Sequence, residues 1–261
     1  MIVTVCQLRV ERAAGPLEDW PLLVAHARAH HSDLVLLPEM AFYPWPFGRR
    51  RFDQATWDAA EAAHKSWLPR LGELAPAVVA GSRPVTRNGE HYNEAFLWSV
   101  QDGYTAVHDK YYLPDEAGFW EGSWYRRGDG RFEVAAVPAV AGEPVAGFLI
   151  CTELWFLERA RAYGQAGASL LLVPRATERH TVDKWLAAGR VAAMASGAYA
   201  LSSNHYHAHD EPFALGGQGW VADPEGEVLA LTSPSRPFAS VEIDLGRALE
   251  ARTTYPRYVE E

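Results

Sequence analysis

The feature that most constrains the fold of this chain is one local unit that occurs twice. HSDLVLLP at 31–38 is echoed by AGASLLLVP at 166–174. Each copy closes a helical pattern, makes a short connection, runs as an unbroken apolar strand and stops at a proline. An apolar run without alternation needs cover on both faces. Two such copies predict two similar halves, each a sheet with helices on its outer side, the two sheets packed face to face. The 261 residues, 48% of them hydrophobic, are enough for this in one unit, and no linker-like stretch divides them. The expectation is one α/β domain over 1–261, with a polar tail from about 246 to 261.

Period and turn chemistry place the other elements. Strands are expected at 2–9, 33–37, 77–81, 132–140, 145–150, 169–173, 198–203, 215–221, 227–231 and 238–243, and helices at 20–30, 53–74, 152–165 and 181–197. Gln101-Asp102-Gly103 marks a hairpin between strands at 92–100 and 104–110. Two irregular, aromatic-rich loops, 40–48 and 111–130, are long enough to carry function.

Composition excludes several roles. The net charge is −9 and the basic residues are not clustered, so nucleic acid is not an expected partner. No apolar run approaches the roughly 20 residues that span a bilayer, so no membrane partner is expected. MIVTVCQLRV reads as a strand and not as a signal peptide. Cys6 and Cys151 are the only cysteines, too few for a disulfide framework, and two free thiols suit the cytoplasm.

Three polar residues share one setting. Glu39, Lys110 and Cys151 each follow an apolar strand and precede an irregular or helical segment. Sites in α/β folds form at the carboxyl ends of strands, so the three can meet in one crevice. A thiolate attacks an electrophilic carbon, a carboxylate moves protons, and an ammonium stabilises developing negative charge. A cysteine at a strand-to-helix junction also lies where free N–H groups and the helix dipole favour the thiolate. Taken singly, each has a plainer reading: a buried structural cysteine, a capping or surface carboxylate, an end-of-strand lysine.

Six motifs in order resemble the nitrilase, or carbon–nitrogen hydrolase, superfamily over nearly the whole chain: LVLLPE, HDKYYLP, GFWEGSWYRRGD, GFLICTELWF with its GASLLLVP run, GRVAAMASGAYALSSN and VADPEGEVLA. The resemblance implies a nitrilase-like four-layer αββα sandwich that pairs through helices into a homodimer or higher homo-oligomer. It implies no metal and no organic cofactor. It makes Glu39 the general base, Lys110 the stabiliser of the oxyanion together with the backbone N–H of Thr152, and Cys151 the nucleophile. Glu121 becomes a second glutamate orienting the lysine and substrate.

The implied activity is hydrolysis of a small amide through a Cys151 acyl-enzyme. Nitrile and carbamoyl substrates are the enzymatic alternatives, with acyl transfer to an acceptor other than water sharing the same intermediate. A ligand-binding or regulatory homologue is the non-enzymatic one. Thr152-Glu153-Leu154-Trp155 leans toward amidase-type members. Gly219 stands near a place where the family often has serine, and His205, Tyr206 and His207 follow Asn204 where substrate contacts are common.

His205, His207 and His209 alternate, which permits a metal site. A polar loop near the pocket mouth is the favoured reading, because no cysteine or carboxylate cluster accompanies them. Trp45, Trp120, Trp124 and Trp155 all fall near the expected site. Packing is the default for each, and as a group they favour a partly aromatic pocket, so Trp120 and Trp155 join Thr152, Asn204 and His205 as candidate substrate contacts.

Overall fold

The computed structural model describes residues 1–10, 15–138, 140–209 and 213–259. Two parallel β-α-β-α-β units make the frame. The first runs β1 (Ile2–Leu8), α1 (Asp19–Ala29), β2 (Leu34–Leu36), α2 (Gln54–Trp67) and β3 (Val78–Arg87). It is extended by the antiparallel strands β4 (Glu90–Ser99) and β5 (Gly103–Asp109). After β6 (Ala135–Ala136), the second unit runs β7 (Val145–Phe148), α3 (Leu157–Gln165), β8 (Leu170–Arg175), α4 (Val182–Ser196) and β9 (Tyr199–His205). β10 (Trp220–Ala222), β11 (Val228–Leu231), β12 (Phe238–Glu242) and α5 (Leu245–Ala251) close the chain.

The strands run in the order β5-β4-β3-β2-β1-β9-β8-β7-β6, with β10 on β9 and β12 on β1. β1 belongs to both halves: Val3, Thr4 and Val5 pair with β2, while Gln7 and Leu8 pair with β9. The sheet therefore turns a corner along β1, and its two halves face each other as the inner layers of an αββα sandwich. The repeated apolar strand now has its reason. Leu34 and Leu36 join the core between the sheets, whereas Val35 and Leu37 pack outward with Trp20 and Leu23 of α1. Both faces are covered, so neither can be polar.

Several elements differ from expectation. β3 runs past the expected end at 81 to Arg87 and returns as β4 through Asn88-Gly89, a two-residue hairpin with both residues at positive φ. The helix expected over 53–74 stops at Trp67 and continues as a 3-10 segment, Leu68–Leu74, because Pro69 cannot donate to an α-helix. Of the strand expected over 132–140, only β6 forms, and residue 139 lies outside the described residues. Of that expected over 215–221, only β10 forms. The tail expected from about 246 holds α5, packed through Ala248 and Ala251. Beyond it, Arg257 donates to the carbonyls of Ala251, Met194 and Pro224, while 260–261 lie outside the described residues. Among the described residues no helix is long and apolar enough to cross a membrane.

Candidate active site

The ends of β2, β5 and β7 bring Glu39, Lys110 and Cys151 together. Lys110 Nζ is fully buried and donates to Glu39 Oε1 at 2.8 Å and to Glu121 Oε2 at 2.6 Å. The lysine is thus held between two carboxylates, neither of which touches solvent. Burial works against its charge, but Glu121, Glu39 and Cys151 outweigh that and push its pKa well above the ordinary lysine value. It remains an ammonium at any ordinary pH. The loop that brings Glu121 also packs Gly128 on the lysine's strand end, its N–H donating to Lys110 O at 3.0 Å. A Cβ on Gly128 would lie 2.2 Å from Asp109 O, so only glycine permits this approach.

Glu39 keeps one carboxylate oxygen unengaged. Oε1 accepts from Lys110 and from Asn93 Nδ2 (2.7 Å), while the buried Oε2 has no partner among the described residues. The Glu39 backbone is fixed as well. Its N–H donates to Arg175 O (3.2 Å), and its carbonyl accepts from His205 Nε2 (2.5 Å). Glu121 Oε2 accepts from Lys110 and from Tyr125 Oη, leaving Oε1 without a partner among the described residues. Burial raises the Glu121 pKa to about 8 against the pull of Lys110.

Cys151 is 3% exposed and has φ +50°. A left-handed backbone is unfavourable for a residue with a Cβ, and Met40, next to Glu39, shares it at φ +49°. Two such residues beside two candidate catalytic groups is the pattern of strain held at functional sites. The helix expected to start here is a 3-10 turn, Cys151–Trp155, and α3 begins only at Leu157. The macrodipole of a full helix is therefore not behind the sulfur. Burial first, then the charge of Glu39, push the thiol pKa well above its ordinary value, Lys110 and the Ala176 backbone working the other way. The expected resting thiolate is replaced by a neutral thiol beside a carboxylate.

The remaining expected contacts divide. Thr152 is half-buried, and Trp155, 48% exposed, packs edge-on against Trp185. Trp120 lies under Arg50 and donates its backbone N–H to Phe47 O. Its neighbours Phe47, Trp45 and Trp124 belong to an aromatic cluster with Met40, Trp57 and Tyr125, next to Glu39 and Glu121 in sequence. The Asn204 side chain spends its bonds on Thr177 and Gly217 O. His205 is buried and its pKa is lowered to about 4 by burial, so it is neutral and aimed at the Glu39 backbone. The three alternating histidines do not share a site: His209 is exposed, and among the described residues no group of three or more His, Cys, Asp or Glu could hold a metal ion.

Sequence reasoning missed Asn93, Tyr125, His108 and Glu153. It also missed Arg175, which stands after Pro174 as Glu39 stands after Pro38. The Arg175 guanidinium is fully buried among Ser202 Oγ, Thr177 Oγ1 and Gln218 O.

The family model for carbon-nitrogen hydrolases matches residues 2–253. An omega-amidase from Bos taurus is 26% identical over 244 residues, covering 90% of this chain and 84% of its own length. A carbon-nitrogen hydrolase from Helicobacter pylori superposes with a TM-score of 0.85 at 23% identity, over 98% of this chain and 94% of that one. An amidase of the nitrilase superfamily from Nesterenkonia does so with a TM-score of 0.74 at 20% identity, over 96% of this chain and 94% of that one.

Proposed function

The chain belongs to the carbon-nitrogen hydrolase family, and on that premise we propose that it hydrolyses a small non-peptide amide to a carboxylic acid and ammonia through an acyl-enzyme on Cys151. The observation that carries this reading is the buried Lys110 ammonium, pinned by Glu39 and Glu121 within electrostatic reach of the Cys151 thiol.

In the first half-reaction Glu39 takes the thiol proton as Sγ attacks the amide carbon. Its unengaged Oε2 is the oxygen suited to that transfer. The new C–S bond turns the carbonyl oxygen into an oxyanion. Lys110 meets that charge with an ammonium that needs no reorganisation, because two carboxylates already fix its position, and the Thr152 N–H adds a second donor. The C–N bond then breaks. The leaving nitrogen takes the proton from Glu39 and departs as ammonia, leaving a thioester. In the second half-reaction Glu39 deprotonates a water, which attacks the thioester carbon, and the thiol is re-formed as the acid leaves.

The neutral resting thiol suits this cycle. A carboxylate beside a thiol whose pKa is raised acts as a base at the moment of attack and does not store a thiolate in advance. The nearly complete burial of Cys151 favours a small substrate, and the omega-amidase and amidase relatives favour an amide over a nitrile.

The test is ammonia release from a panel of small amides, nitriles and N-carbamoyl compounds by the native protein and by Cys151→Ala. Release from an amide that disappears in Cys151→Ala, with Cys6→Ala still active, is the expected result. Turnover that persists in Cys151→Ala overturns the mechanism, and carbon dioxide released together with ammonia moves the substrate to the carbamoyl class.

A further inference from the structure

One buried carboxylate outside the proposed cycle joins the two segments that the cycle depends on. Glu153 stands two residues after Cys151 and is fully buried. Its Oε2 accepts the N–H of Ile150 at 2.8 Å, and its Oε1 accepts that of Tyr111 at 2.7 Å. Ile150 precedes the nucleophile and Tyr111 follows Lys110. The third partner is His108 Nε2, at 3.0 and 2.9 Å from the two carboxylate oxygens. His108 lies on β5, two residues before Lys110. Its Nε2 thus lies within hydrogen-bond distance of both carboxylate oxygens, an arrangement that becomes an imidazolium–carboxylate ion pair when the ring is protonated.

We propose that His108 and Glu153 are positioning residues for the amide hydrolysis described above: their ion pair fixes the Cys151 turn against the Lys110 strand end, and turnover is lost when His108 gives up its proton. The inference rests on the Cys151 acyl-enzyme reading. Its physical basis is the unfavourable backbone of Cys151, which neighbouring contacts must impose. Ile150 supplies that constraint through both of its backbone groups, because its carbonyl, in the peptide that leads into Cys151, also accepts the Glu153 N–H at 3.2 Å. Removing the imidazolium charge leaves Glu153 buried with two backbone donors and no counter-charge, and the carboxylate is then free to shift away from Ile150 or Tyr111.

The groups facing His108 come from several elements. Glu153 faces it from the turn after Cys151, Asp109 is its neighbour on β5, and Phe132 packs on its ring. Arg87, Glu94, Asp129, Arg131 and Glu133 line the adjoining surface hollow. Burial opposes protonation, but Glu153, the Arg131 backbone and Asp109 outweigh it, so the His108 pKa lies above its ordinary value.

The experiment measures kcat and KM for ammonia release between about pH 5.5 and 9.5, the range in which a perturbed histidine titrates, in the native enzyme, His108→Gln, Glu153→Gln and Cys151→Ala. The native kcat is expected to fall on the alkaline side. His108→Gln should lose that fall and run at a flat kcat about tenfold lower, with KM changed by less than about twofold. Glu153→Gln should lose about 10²-fold in kcat, the scale expected when a reacting group is displaced by an ångström. Glu121 titrates in the same range. The assignment therefore turns on His108→Gln: an alkaline fall that stays in place in this variant overturns the proposal, as does a native kcat that shows no such fall. An effect on KM in place of kcat also overturns it. If Glu153→Gln does not fold, His108→Gln and the native profile still decide. Activity in Cys151→Ala would sink the acyl-enzyme reading itself, whereas an inactive Cys151→Ala with a native-like His108→Gln profile sinks only the positioning role.

Discussion

At the scale of single residues, charge balance around Lys110 governs the site. A buried ammonium between two carboxylates is costly to assemble and more costly to break, because removing one partner strands the others. Lys110→Ala should therefore lose turnover by several powers of ten and also destabilise the fold by about 3–5 kcal/mol near neutral pH. The loss of stability should grow on mild alkalinisation, since Glu121, protonated below about pH 8, then becomes a second buried carboxylate that only the ammonium offsets. Urea denaturation at two pH values on either side of about 8 checks this, and equal losses at both would mean that Lys110 does not sense the charge of Glu121. Glu39 makes a sharper case. Its charge helps to raise the Cys151 thiol pKa, while Lys110 lowers it. Glu39→Gln removes the first and keeps the second, so iodoacetamide labelling of Cys151 should reach its midpoint at lower pH than in the native enzyme. Ammonia release should meanwhile fall by about 10²–10⁴-fold. A more reactive sulfur in a less active enzyme would separate the base from mere activation of the thiol. An unshifted midpoint would remove Glu39 from the electrostatics of the nucleophile.

At the scale of elements, the two β-α-β-α-β units explain what was legible. Apolar period and a closing proline mark where β2 ends, and so they marked Glu39, whereas β8 runs on through Pro174 to Arg175. The run before Cys151 did the same for β7. The partners that hold these residues carry no local signal. Asn93 reaches Glu39 across 54 residues of sequence, and His108 reaches Glu153 across 45. Such bonds depend on how strands are ordered in the sheet, which no window of period can show. The 3-10 turn at Cys151 escaped for a related reason, since its geometry is set by Glu153 and not by helix propensity. Helix packing was equally hidden. In α4, Gly189 lies against the Trp220 indole of β10, and a Cβ there would sit 2.0 Å from the ring. Trp220 is completely buried and cannot swing aside. Gly189→Ala, which in an isolated helix would gain about 1 kcal/mol, should instead cost about 1–3 kcal/mol through overpacking. A thermal melt of the variant checks the sign, and a raised Tm would show that the α4–β10 contact is looser than its geometry.

At the scale of the whole molecule, buried titrating groups set how stability depends on pH. His64 accepts the Phe42 N–H at Nε2 and is engaged with Ala60 O at Nδ1, an arrangement that requires the neutral ring. Burial lowers its pKa to about 4, and that of His205 likewise to about 4. Both are protonated in the unfolded chain below its ordinary histidine value of about 6.5. Their contribution is complete above that pH and is lost as pH falls toward 4. Glu121 acts in the opposite sense. Its folded pKa of about 8 exceeds the unfolded value of 4.5, so it costs stability as pH rises between the two. His108, with its pKa raised, adds stability that is complete below about pH 6.5 and is lost as pH climbs through its folded pKa. Between about pH 4.5 and 6.5 the two neutral histidines outweigh Glu121 by one proton, so stability rises with pH across that window. Above that window Glu121 and His108 both turn the slope downward. These groups place maximum stability near pH 6.5. Replacing His64 with Gln, which keeps an acceptor without a titrating ring, should nearly flatten the acid side and leave the alkaline side unchanged. Denaturation midpoints across that range decide it: an acid side as steep in His64→Gln as in the native protein would assign the acid loss to carboxylates and not to the buried rings.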